Sequence, residues 1–227
     1  MGDMDLKRGP GRGKFITFEG GEGSGKSTQI KMLAQRLDAI GTRHIATREP
    51  GGSPGAEIIR HVILSGVGKL LGPETETLLF AAARDDHVRT VILPALNQGS
   101  WVLCDRFFDS TRAYQGSLGQ VSPDVLNALQ RVTIGDLKPD LTIILDVPVE
   151  VGMQRAAARR GSGAADRFES EDMTFHQGLR AAYRKIAAEN PQRCVLIDAT
   201  ADPDGVGEAI WSTVREHLMP ATAASPA

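Results

Sequence analysis

Residues 20–27 read GGEGSGKS and stand directly behind the apolar run Phe15-Ile16-Thr17-Phe18. The spacing is G-x-x-x-x-G-K-[ST], and few short patterns restrict a fold as much. Glycines let successive backbone N–H groups converge on phosphate oxygens, which requires a strand to end just before the loop and a helix to begin just after it. Lys26 then reaches the β- and γ-phosphates of a nucleoside triphosphate, and Ser27 can ligate Mg²⁺. Gly20, Gly21, Glu22, Gly23, Ser24, Gly25, Lys26, Ser27 and Thr28 are the candidate triphosphate-binding residues. Glu22 is the odd member, a carboxylate inside a loop built to hold anions.

The rest of the chain alternates short β-rich runs with longer helical patterns. Residues 14–19, 44–47, 101–105, 141–146 and 194–198 read as strands. Residues 141–145 and 195–197 are apolar on both faces, which predicts central strands covered by helices on either side. Helical patterns occupy 26–40, 56–64, 73–98, 110–115, 123–134, 149–159, 171–190 and 203–218. Ser122-Pro123 and Asp202-Pro203 each pair an N-cap residue with proline at the first helical position. The alternation predicts an α/β fold: a five-stranded parallel sheet, helices on both faces, right-handed crossovers, and ligands at the carboxyl ends of the strands. A chain of 227 residues suits one such domain, placed at 14–218. Residues 1–13 read as a flexible leader and 219–227 as a flexible tail.

Charge and composition exclude several classes. A formal net charge of −2 argues against a general nucleic-acid coat, which needs a strongly basic face. No apolar run approaches the roughly 20 residues that span a bilayer. The leader has no hydrophobic segment of the secretory kind. Cys104 and Cys194 lie far apart in strand-like runs and read as buried reduced thiols, in keeping with the cytoplasm.

Two arginines follow strand ends, Arg48 in TREPGGS and Arg106 in DRFFDS. Either alone reads best as a surface arginine paired with a carboxylate. Both beside a phosphate loop, at the ligand edge of the sheet, favour a second phosphorylated substrate. Asp105 closes the run Trp101-Val102-Leu103-Cys104 and has two readings, a Mg²⁺ ligand or a loop cap.

EGGEGSGKST, TREPGGS and DRFFDSTRAYQG, in this order, resemble the bacterial thymidylate kinases, and the resemblance runs from about residue 14 to 218. It implies the nucleoside-monophosphate-kinase variant of the P-loop fold, ATP and dTMP as substrates, Mg²⁺, and a homodimer. Residues 155–169 are similar to the family's lid. The resemblance further implies that Phe80 stacks on thymine and that Arg84, four residues on along the same helix face, bonds a base carbonyl. Arg48 and Arg106 would hold the acceptor phosphate, Ser110 would lie beside it, and Tyr114 and Gln115 would lie against sugar and base. Pro50 would follow a cis bond. The phosphate loop carries no arginine, whereas the lid holds Arg155, Arg159, Arg160 and Arg167. This implies the lid-arginine type, with Arg159 and Arg160 both open as the transition-state contact. Glu22 would reach across to the acceptor, near the sugar 3′-hydroxyl or its metal. An adenine contact is expected from fold position near 198–201, and lid closure over 161–163 is expected to exclude water. Two competing readings stand beside this one. The first is a kinase for dUMP, UMP or CMP. The second is a P-loop nucleotide switch, against which the chain has no N-K-x-D guanine signature.

Overall fold

The computed structural model describes residues 11–66, 70–160 and 168–219. The leader as far as residue 10, lid residues 161–167 with Arg167, and the tail from residue 220 lie outside the described residues. Five strands form one parallel sheet in the order β2-β3-β1-β4-β5. They are β1 (Phe15–Glu19), β2 (His44–Arg48), β3 (Trp101–Asp105), β4 (Leu141–Asp146) and β5 (Cys194–Asp198).

β1 is central and every one of its residues is buried. Its pleat divides the core: Ile16 and Phe18 pack with α1 (Lys26–Ala39) and α9 (Pro203–Leu218), while Phe15 faces the opposite cluster. On that opposite face lie α3 (Pro73–His87), α4 (Leu93–Asn97), α5 (Phe108–Thr111) and α8 (Met173–Glu189). The remaining helices are α2 (Pro54–Leu64), α6 (Pro123–Thr133) and α7 (Val149–Arg160). Ser122 and Asp202 cap α6 and α9 through their side chains, with proline next in both, as their sequences predict. α2 begins at Pro54, two residues before its predicted start, because Ser53 caps it in the same way.

Three expectations need correction. β5 is an edge strand, not a central one: only β4 pairs with it, and Leu196 is exposed. Both of its faces meet helices, Cys194 on the side of α8 and Val195 and Ile197 on the side of α9, so its apolar run looks like a central strand's although one edge is unpaired. The predicted helix 73–98 holds a π-helical turn at Val88–Ile92 between α3 and α4. Pro94 has no N–H to donate, and the wider turn just ahead of it accommodates the loss. The predicted helix 110–115 is α5 running into a second π-helical segment, Arg112–Leu118, which carries Tyr114 and Gln115. Such wide turns recur at functional sites because they rotate side chains off the regular helical face.

Candidate active site

The loop between β1 and α1 leaves the central strand at its carboxyl end. Gly25, just before α1, holds φ 94°, a left-handed conformation that side chains resist. Lys26 is buried, and its Nζ donates to the carbonyls of Gly20 (3.1 Å) and Gly21 (2.9 Å). Burial, with Arg106 nearby, lowers the lysine's pKa against the opposing pull of Asp105, Glu22 and Glu19. Ser27 Oγ donates to Asp105 Oδ2 at 2.9 Å, joining the start of α1 to the end of β3. Gly23 lies directly on Gly152 of α7. A Cβ at position 23 would overlap the Gly152 carbonyl, and one at 152 would come within 2.5 Å of the Glu22 carbonyl.

Arg106 follows β3 with φ 67°, unusual for a residue with a side chain. Its N–H is fixed by the Phe18 carbonyl at 2.9 Å. The guanidinium turns back under the phosphate loop. Nη2 donates to Glu22 Oε1 at 2.6 Å; Nη1 donates to the Gly20 carbonyl at 3.2 Å and the Tyr183 hydroxyl at 3.1 Å. The charge lies 5.2 Å over the Tyr114 ring. Burial alone would raise the Glu22 carboxyl, but Arg106, Lys26 and Arg159 outweigh it and hold it below its ordinary value. Glu22 is therefore ionised, with its carboxylate directed at Arg106.

A single cleft of about 440 Å³ joins these groups. One end is the phosphate loop from Glu22 to Thr28. The other end is formed by Phe80, Arg84, Tyr114, Gln115 and Phe168, with Arg48, Pro50, Asp105, Arg106, Ser110 and Arg159 between them. Phe80 is partly exposed on this wall, 6.5 Å from Phe168, whose ring meets Tyr114 edge-on at 5.2 Å. A triphosphate loop at one end and an apolar, arginine-bearing slot at the other describe a site for two nucleotides.

The sequence model of the family described as Thymidylate kinase matches residues 18–210. The chain belongs to the thymidylate kinase family. It is thus an ATP-dependent nucleoside monophosphate kinase, a phosphotransferase. Among relatives, a thymidylate kinase from Bradyrhizobium sp. (strain ORS 278) is 76% identical over 225 residues, covering 99% of this chain and 100% of that protein. One from Nitrobacter winogradskyi is 73% identical over 216 residues, covering 95% and 94%. The crystal structure of thymidylate kinase from Ehrlichia chaffeensis superposes with a TM-score of 0.72 at 34% identity, covering 91% of this chain and 99% of that one.

Not every candidate residue of the kinase reaches the cleft. Gly20 and Gly21 stand behind the loop, where their carbonyls hold Lys26 and Arg106. Arg159 lines the cleft and pairs with Glu169 Oε1 at 2.9 Å. Arg160 pairs with Glu169 Oε2 at 2.8 Å and is not among the cleft's lining. Arg155 bonds the carbonyls of Ala199 and Thr200 after β5, on the stretch expected to meet adenine. Arg48 lines the cleft while bonded to Glu57 at 2.8 Å. The Glu49–Pro50 bond is cis, as the resemblance implies.

Sequence reasoning missed the groups behind the arginines. Glu19, fully buried, accepts from the N–H groups of Phe107 and Ser110, the Ser110 hydroxyl and the Tyr183 hydroxyl. Burial, and then Asp109, push its pKa to about 7 despite those donors. The available signal was a carboxylate closing an otherwise uncharged strand. Tyr183 and Glu169 carry no such mark.

Proposed function

We propose that this kinase transfers the γ-phosphoryl group of ATP to dTMP, giving dTDP and ADP. The observation that carries the reading is the 2.6 Å pair between Glu22 of the donor loop and Arg106 of the acceptor side, within one cleft. The loop N–H groups and Lys26 bind the donor phosphates. Arg106 and Arg48 grip the acceptor phosphate, each exchanging a carboxylate partner, Glu22 or Glu57, for phosphate oxygens. Glu22, released from Arg106, accepts a hydrogen bond from the sugar 3′-hydroxyl. Phe80 stacks on thymine, Arg84 bonds a base carbonyl, and Tyr114 and Gln115 bound the sugar and base; a ribose 2′-hydroxyl would meet the tyrosine ring. The acceptor phosphate is already largely a dianion at neutral pH, so no general base is needed. Catalysis is positioning plus stabilisation of charge on the transferred group. Arg159, not Arg160, supplies the cation from α7, because it alone of the two lines the cleft.

Ser27 Oγ and Asp105 Oδ2 fit Mg²⁺: two hard oxygen donors side by side at the cleft, the rest of the shell being left to phosphates and water. When bound there, the ion spreads negative charge from the β- and γ-phosphates. Exposed Ile58 and Val62 on α2, Leu78 on α3 and Val132 on α6, three neighbouring helices, support a homodimer. The free thiols Cys104 and Cys194 agree with a cytoplasmic protein, and no helix among the described residues is long and apolar enough to cross a membrane. The domain limits 14–218, with a lid at 155–169, belong to the same proposal. An ADP-release assay across dTMP, dUMP, UMP, CMP and no acceptor tests the chemistry. Turnover independent of acceptor would sink the kinase reading, and UMP outperforming dTMP would sink the substrate.

A further inference from the structure

Behind the base end of the cleft, four polar side chains form one chain, buried at Arg84, Glu49 and His87 and half-buried at Thr47. Thr47 Oγ1 meets His87 Nε2 at 2.7 Å, His87 Nδ1 meets Glu49 Oε1 at 3.1 Å, and Arg84 Nε donates to Glu49 Oε2 at 2.7 Å. His87 is 0% exposed, Arg84 4% and Glu49 6%. The pattern follows from two periodicities. Thr47 and Glu49, two apart at the end of β2, point to one side; Arg84 and His87, three apart on α3, share one helix face. Glu49 is thus clamped from α3 at both carboxylate oxygens. An ionised carboxylate only accepts, so Nδ1 of His87 carries the proton and Nε2 faces the threonine hydroxyl.

Nothing in packing requires this arrangement. Apolar side chains of similar volume would fill the space without the desolvation cost of a buried charge pair. What the chain does is fix Arg84. Its guanidinium lies over the rings of Phe107 (5.4 Å) and Phe108 (5.7 Å), and Nη2 donates to the Phe107 carbonyl at 3.3 Å. The bonds of Nε to Glu49 and of Nη2 to the Phe107 carbonyl fix how the guanidinium is turned. Nη1 has no protein partner among the described residues, and Arg84 lines the cleft. Gly52 seals the arrangement: at φ 86°, its Cα sits so close that any side chain would run into His87 and Thr47.

We infer that His87 is a positioning residue for acceptor binding, aiming the free end of Arg84 through Glu49, with Thr47 holding the imidazole in turn. The inference rests on the proposal that Arg84 bonds the base of the acceptor. Steady-state kinetics with dTMP and ATP varied separately test it. His87→Gln, which loses the donor at Nδ1, raises KM for dTMP by roughly tenfold, as expected for a buried bond to a charged group. KM for ATP stays within about twofold, since only the acceptor end is disturbed. His87→Asn, which keeps a donor near the Nδ1 position, recovers most of the loss. In an Arg84→Ala background, His87→Gln adds nothing further to KM for dTMP, because the residue it aims is gone. A merely structural histidine would lower the active fraction and leave this split unmoved. An unchanged KM for dTMP in His87→Gln, beside a raised one in Arg84→Ala, overturns the inference. So does an equal effect of His87→Gln in both backgrounds. An Arg84→Ala variant with unchanged KM for dTMP removes the base contact itself, a distinct failure. Should His87→Gln not fold, Thr47→Val gives the same test, with roughly a threefold rise expected and no rise counting against the inference.

Discussion

Replacing Glu19 by glutamine should flatten the protein's stability between pH 4.5 and about pH 7. In the folded chain the Glu19 carboxyl holds its proton up to about pH 7, chiefly because burial disfavours the charge. In the unfolded chain it releases the proton near the ordinary 4.5. Between those values the folded state binds more protons than the unfolded one, so stability falls as pH rises. At about 1.4 kcal/mol per pH unit, the interval amounts to roughly 3 kcal/mol, fully present below pH 4.5 and gone above pH 7. Glutamine cannot ionise and lacks this slope. It still offers an oxygen to the N–H groups of Phe107 and Ser110, while Ser110 and Tyr183 can reorient their hydroxyls toward the amide. Urea unfolding of both proteins at half-unit steps from about pH 4.5 to 8, followed by the fluorescence of Trp101 and Trp211 in a metal-free buffer, measures the effect. The advantage of the native protein over the variant should shrink by about 3 kcal/mol across the range. A difference that stays constant to within about 0.5 kcal/mol would show that burial does not hold the proton on Glu19, and would refute the reasoning.

Arg106→Ala should lower kcat/KM for dTMP by roughly a hundredfold or more, as for truncating one member of a buried hydrogen-bonded charge pair, with ATP affinity nearly intact. Loss of ATP binding alone, by titration calorimetry, would place Arg106 on the wrong substrate. Glu22→Gln should reduce kcat/KM for dTMP about tenfold, the scale of one charge-assisted hydrogen bond; a comparable loss of ATP affinity would contradict its orientation toward Arg106. Arg159→Ala should cut kcat by about 10²–10³, while Arg160→Ala should matter far less; single-turnover rates in the reverse order would exchange their roles. Gly152→Ala should cost about 1–3 kcal/mol in thermal denaturation and raise KM for ATP, because the new methyl pushes on the loop beside Glu22; no change in either would mean the two backbones are not in contact.

The phosphate loop was legible because its whole logic is local: strand, glycines, lysine, hydroxyl and helix follow one another in the chain. Strand positions were legible for a similar reason, since apolar runs announce burial. Their order in the sheet was not, and β5 shows why. An edge strand with helices on both faces reads like a central one, because the unpaired edge is backbone and leaves no mark in the side chains. Among site residues, Arg48 and Arg106 could be placed at the ligand edge from their strand ends, but their partners Glu57 and Glu22 come from tertiary geometry. Arg159 and Arg160 are neighbours in sequence and differ only by the turn of α7 that points one into the cleft. Glu49 and His87 are ordinary residues in ordinary runs, and Glu19 is marked only by closing an otherwise uncharged strand. Only the fold sets each behind an arginine, although the spacing of Arg84 and His87 on α3 was visible beforehand.

The meeting of Gly23 with Gly152 fixes how far the phosphate loop stands from the helix that bears Arg159. Where side chains separate two elements, the gap depends on their size, and drift or redesign can widen or narrow it. Here main chain rests on main chain, with no rotamer to adjust and no methylene to add or remove. The separation of the phosphate loop from the helix that bears Arg159, proposed above as the cation of the transition state, is thereby tied to covalent dimensions of the backbone. Core substitutions around α7 can change how firmly the helix is held, but they have no spacer at this point through which to reset its distance from the loop.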